Sequence, residues 1–84
     1  MILVEIYSKK DCHLCDVAKA VLRRVQCSNP FELRELLIAE GDEQYQNYKN
    51  DIPVIMINKE FAFRHRVPEK EFITKLNLLR EIER

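Results

Sequence analysis

The segment Tyr7-Ser8-Lys9-Lys10-Asp11-Cys12-His13-Leu14-Cys15-Asp16-Val17-Ala18 decides the fold. It follows an apolar run, Met1 to Ile6, that is short and rich in β-branched residues and reads as a buried strand. It leads into Leu14, Val17, Ala18, Val21, Leu22 and Val25, whose spacing predicts a helix from about Asp11 to Cys27 with these residues on its apolar stripe. A Cys-x-x-Cys pair therefore stands where a strand turns into a helix, the arrangement that dithiol chemistry needs.

The physical reason is local. The thiolate is the reactive form of cysteine, and a free thiol with a pKa of about 8.5 is mostly protonated at neutral pH. The first turn of a helix leaves backbone N–H groups unpaired, so its positive end favours an anion. Asp11 is the expected N-cap, which places Cys12 in that first turn. Lys9 and Lys10 add positive charge nearby, and Asp11 and Asp16 oppose it. At about 100° per residue, Cys15 falls at the edge of the apolar stripe and Cys12 well outside it. Cys12 is then the exposed nucleophile, and Cys15 the sheltered thiol that resolves a mixed disulfide. His13, between them, has two open readings: an imidazolium that steadies the thiolate, or an exposed helix residue.

The 84 residues make one domain, 1–84, with no internal repeat, linker or low-complexity segment. Fourteen basic residues balance fourteen acidic ones, so no global field draws the chain to nucleic acid or to a membrane surface. No apolar run approaches the length of a membrane span. The N-terminus meets Glu5 at once and lacks the pattern of a signal peptide, which points to a cytoplasmic protein. Three cysteines with one close pair do not make a disulfide framework. Cys27 reads as a surface cysteine, with a third redox thiol as the rival reading.

Beyond the first helix, Ser28-Asn29-Pro30 is a breaker cluster, and Phe31 to Ile38 predicts a second strand, parallel to the first. Gly41 precedes a short polar helix, Asp42 to Tyr48, whose Tyr45 and Tyr48 share a face and pack on the sheet. In Asn50-Asp51-Ile52-Pro53-Val54-Ile55-Met56-Ile57, the proline cannot sit inside a ladder, so it opens a strand. Asn58-Lys59 is a tight turn into a fourth strand, Glu60 to His65, with Phe61 and Phe63 on one face. The last helix begins with Pro68 at its first position and carries the stripe Phe72, Ile73, Leu76, Leu79 and Ile82.

Tyr7-Ser8-Lys9, two further residues, then Cys12-x-x-Cys15-x-x-Ala18-Lys19-x-x-Leu22 resembles the active-site segment of glutaredoxins. Leu14 before the second cysteine is closer to the small glutaredoxin-like proteins with a Cys-x-Leu-Cys motif than to the usual Cys-Pro-Tyr-Cys. The resemblance implies an α/β, thioredoxin-like fold: a four-stranded mixed sheet with three helices in the order β-α-β-α-β-β-α. It also implies a cis-proline at Pro53, facing the cysteines, with Ile52, Pro53 and Val54 forming a backbone clamp for substrate. Lys9 matches the family lysine that meets the glycyl carboxylate of glutathione.

Departures from the family pattern bear on substrate. Asp51 replaces the usual threonine, and His65-Arg66-Val67-Pro68 stands where a Gly-Gly-x-Asp turn receives the γ-glutamyl end of glutathione. Side chains there crowd a backbone approach that glycine permits. The expected function is a monomeric thiol–disulfide oxidoreductase that acts on a disulfide-bearing protein or thiol substrate through Cys12 and Cys15. It needs no metal or cofactor, and takes electrons from a reductase or from glutathione, with glutathione a poor co-substrate. Lys10 and His13 are candidates for tuning the thiol. Two rivals remain: an Fe–S or metal module sharing the cysteines between two chains, since one chain offers too few ligands, and a redox-inactive binding module.

Overall fold

The elements follow in the order β1 (Leu3–Ser8), α1 (His13–Ser28), β2 (Glu32–Leu37), α2 (Glu43–Tyr48), β3 (Val54–Ile57), β4 (Glu60–Arg64) and α3 (Glu69–Glu83) in a computed structural model that describes residues 1–83. The four strands form one sheet in the order β2-β1-β3-β4. β2 runs parallel to β1, and β3 and β4 are each antiparallel to the strand before them in the sheet. The sheet is mixed and the element order is the one expected.

β1 is central because its residues suit burial from both sides. Val4 and Ile6 point to one face and are fully buried. There they join Ile55 and Ile57 of β3, Ala18, Leu22 and Val25 of α1, and Phe72 and Leu76 of α3 in the main core. Phe72 is its keystone, with its ring edge-on to Phe31 at 5.5 Å and to Phe63 at 6.3 Å. Such geometry adds to the burial of a large ring. The opposite face carries Tyr7, on which Tyr48 of α2 stacks with centroids 5.3 Å apart. Glu5 lies one pleat away from Tyr7 and is buried, and Lys59 reaches its carboxylate at 3.2 Å.

Asn58 and Lys59 both have left-handed backbones, with φ of 50° and 70°. This is the two-residue hairpin turn whose twist matches the strands. The Asn58 side chain accepts from the Leu3 N–H at 2.9 Å, and the Asn58 N–H donates to the Leu3 carbonyl at 2.7 Å, so the turn is also tied to β1.

Several local expectations change. Phe61 and Phe63 do not share a face, because a bulge at Ala62 shifts the register: Ile55 pairs with Phe63, and Met56 with Phe61. One extra residue reverses the alternation, so Phe63 packs on the core while Phe61 is exposed. Leu14 and Val17 belong to the apolar stripe of α1 by spacing, yet both are exposed. Ile82 is exposed too, at 78%. A helix of fifteen residues runs to about 22 Å, whereas a four-residue strand covers about 13 Å. The end of α3 therefore projects beyond the sheet, whereas Leu14 and Val17 sit beside the buried Cys15 and Ala18, off the buried face of α1. Pro68 precedes α3 instead of opening it, and its carbonyl accepts from the Phe72 N–H at 2.9 Å.

Candidate active site

The chain leaves β1 at Ser8 and turns through Asp11, whose φ is 56°. Cys12, not Asp11, is the N-cap of α1: its backbone is extended and its sulfur accepts from the Cys15 N–H at 3.2 Å. The left-handed backbone of Asp11 leaves the capping role to the next residue. The Cys12 carbonyl also accepts from the Asp16 N–H at 3.1 Å. The sulfur thus points into the unpaired N–H groups of the first turn, the one place on the helix where negative charge is favoured.

Cys12 and Cys15 are joined as a disulfide, with Cα atoms 5.2 Å apart. Cys12 is half-buried, less open than its angular position implies, while Cys15 is only 1% exposed. Cys15, Ile38 and Ile52 form a second, smaller core, against which Cys12, Tyr7, Tyr45 and Tyr48 pack. This cluster seats the pair on the Tyr7 side of the sheet. Burial raises the pKa of Tyr7, and the nearby Glu5 carboxylate and Tyr48 push it the same way, against a smaller opposing effect of Lys59. Its phenol therefore keeps its proton at neutral pH.

The Ile52–Pro53 bond is cis. Ile52, Pro53 and Val54 are all buried, and Val54 pairs with Tyr7, so this segment lies directly beside the end of β1 that leads to Cys12. Lys9, Lys10 and His13 are exposed on the approach to the pair. Cys27, by contrast, is exposed near the far end of α1, with its sulfur 3.4 Å from the Arg23 carbonyl.

The turn after β4 is bound to the proline segment. His65 has a left-handed backbone, with φ of 70°, and its N–H donates to the carbonyls of Pro53 at 2.8 Å and Asp51 at 3.3 Å. The Arg66 N–H donates to the Arg64 carbonyl at 2.8 Å. One Asp51 carboxylate oxygen takes Arg64 at 3.4 Å and His65 at 3.8 Å. The two positions where the sequence departs from the glutaredoxin pattern are therefore partners in space.

The sequence reading missed a second set of residues. Lys19 contacts Glu35 at 2.5 Å and Asp16 at 3.5 Å, and the buried Ser8 hydroxyl lies 3.5 Å from Glu35. Its bond to Glu35 raises the pKa of Lys19 above the ordinary 10.5, so the ion pair persists through neutral and mildly alkaline pH. This network ties the helix below the cysteines to β2. Glu35 faces the helix side because it pairs with Ile6, a signal visible only once the strand register is known. Ile38, which lines the cysteine cluster, also reads as an ordinary strand residue in the sequence. Among the described residues, no three His, Cys, Asp or Glu side chains converge as a metal site, and no helix is long and apolar enough to cross a membrane.

Comparisons with known proteins agree with this geometry. A Nitrosomonas europaea protein solved by solution NMR superposes with a TM-score of 0.76 at 21% identity, over 88% of this chain and 89% of that one. An X-ray structure of an X. campestris protein gives 0.74 at 19% identity, over 89% and 96%. Thioredoxin-2 of the malaria parasite gives 0.64 at 17% identity, over 92% and 82%. At these identities the likeness is one of fold, and the fold is thioredoxin-like. In sequence, the chain is 30% identical over 82 residues to a glutaredoxin-like protein of Dictyostelium discoideum, covering 90% of this chain and 76% of that one. The model of the glutaredoxin-like domain (DUF836) matches residues 3–77. With Cys12 and Cys15 set at the start of α1 inside the matched region, the chain belongs to the glutaredoxin-like (DUF836) family.

Proposed function

We propose that the protein is a thiol–disulfide oxidoreductase that cycles Cys12 and Cys15 between dithiol and disulfide. One observation carries the reading: the Cys12 sulfur caps α1 while its partner sulfur is buried beneath it. In the reduced protein, the Cys12 thiolate attacks a substrate disulfide. A bond forms between Cys12 and one substrate sulfur, and the other substrate sulfur leaves as a thiolate. The Cys15 thiolate then attacks Cys12, closing the protein disulfide and releasing the second substrate thiolate. Two electrons pass from protein to substrate, and the protons of the two protein thiols end on the released sulfurs. A dithiol reductase or a monothiol such as glutathione restores the dithiol. Ile52, Pro53 and Val54 form the wall beside the pair against which the substrate lies, and Lys9, Lys10 and His13 flank Cys12 in the chain.

Glutathione fits this site poorly. A carboxylate held by a turn needs free backbone N–H groups, and those of His65 and Arg66 already serve Pro53, Asp51 and Arg64. The His65 and Arg66 side chains crowd the same approach. Polypeptide disulfides are the better substrates. The test offers glutathione and thioredoxin reductase separately to the oxidised protein, and repeats the glutathione arm with the double variant His65→Gly/Arg66→Gly. The reading expects slow glutathione-dependent turnover that rises several-fold in the double variant. Rates equal to those of an ordinary glutaredoxin, or no gain from the glycines, sink the blocked-turn explanation.

A further inference from the structure

We propose that the polypeptides reduced at this site carry acidic residues beside the reacting cysteine, an inference that rests on the oxidoreductase reading. Tyr7 of β1 pairs with Val54 of β3, which pairs with Arg64 of β4, so one row runs straight across the sheet. At its two ends the chain exits into Lys9-Lys10 on one side and Arg64-His65-Arg66 on the other. Strands lie about 4.8 Å apart, so the two exits are about 10 Å from each other. That is about one Debye length at 0.1 M salt. Val54, at the end of the proline segment, lies between them, and the cysteine pair packs against Ile52 of the same segment.

The charges on this rim do not cancel. Arg64 is paired with Asp51, and Lys19 is shared between Asp16 and Glu35. Lys9, Lys10 and Arg66 are exposed and make no ion pair among the described residues. Asp11 opposes the group from within the same loop, and Asp16 from the first turn of α1. Glu40, Asp42 and Glu43 are the remaining acids at this end of the sheet. They belong to the connection beyond β2, on the opposite side of β1 from β4. The entrance is therefore polarised: basic from β1 across to β4, and acidic beyond β2. A substrate strand laid along the proline segment meets the basic half. Since the protein as a whole has zero formal charge, its long-range field is dipolar and directs an acidic segment to this edge.

Three peptides with the same disulfide, flanked by glutamates, lysines or serines, test the inference. Reduction by the wild-type dithiol is followed at about 0.01 M and about 1 M salt, where the Debye length is about 30 Å and 3 Å. The expected result is kcat/KM about tenfold higher for the glutamate than for the lysine peptide at low salt, within the range of electrostatic steering, with the gap closing at high salt. Arg66→Glu, and separately Lys9→Glu/Lys10→Glu, should each remove most of the preference, and circular dichroism verifies that each variant is folded. Equal rates for all three peptides, or a glutamate preference insensitive to salt and to both charge reversals, overturn the inference and leave the oxidoreductase reading standing. Failure to reduce even the serine peptide overturns both.

Discussion

Replacing Cys12 by serine is expected to abolish disulfide reduction, a loss of about 10³-fold or more, the order seen when a nucleophile that works as a unit with its partner is removed. A serine hydroxyl keeps the cap on α1, so the variant should fold while losing only the chemistry. Cys15→Ser is expected to differ in kind. It leaves the attacking sulfur in place, so the first step proceeds and a mixed disulfide on Cys12 accumulates, visible as an added mass that a reductant removes. The asymmetry follows from position: one sulfur faces the helix end and the approaching substrate, and the other is 1% exposed. In the reduced protein, Cys12 should alkylate about tenfold or more faster than Cys15 at neutral pH. Equal alkylation rates would contradict the assignment of roles.

Phe72→Ala is the substitution with the largest expected effect on stability. The ring is fully buried and touches Phe31, ahead of β2, and Phe63 of β4. Truncating a buried phenylalanine costs about 3–5 kcal/mol, the lost transfer energy plus the cavity it leaves. Small domains have only about 5–15 kcal/mol in total, and an 84-residue chain buries comparatively little surface. The variant should be largely unfolded near 40 °C, or show a urea midpoint lowered by more than half. Phe72→Leu, which keeps most of the volume, should cost about 1.5 kcal/mol or less. An alanine variant within about 1 kcal/mol of wild type would mean that α3 does not pack as described.

Much of this architecture is legible in the sequence because strong local signals agree. The β-branched run into β1, the Cys-x-x-Cys at the helix start, and the proline before an apolar run together fix the element order and bring the right residues together. What escapes is set by tertiary register. Period-two alternation puts Phe61 and Phe63 on one face, and only the bulge at Ala62 separates them. Helical periodicity counts Leu14, Val17 and Ile82 as core, because a sequence shows neither that the buried face of α1 centres on Cys15, Ala18, Leu22 and Val25 nor where the sheet beneath α3 ends. Capping chemistry favours Asp11 over Cys12, and the left-handed backbone of Asp11 reverses that choice. The pairing of Asp51 with Arg64 and His65 joins residues thirteen and fourteen apart through a hairpin, beyond the reach of any local pattern.

The chain has no tryptophan and three tyrosines, and all three tyrosines pack against the cluster that holds the disulfide. A disulfide quenches excited tyrosines close to it, so the oxidised protein is expected to emit less than the dithiol. The unlabelled protein would then carry its own optical gauge of oxidation state. Emission read against a thiol redox buffer gives the midpoint potential directly, and its recovery after mixing with substrate times each turnover.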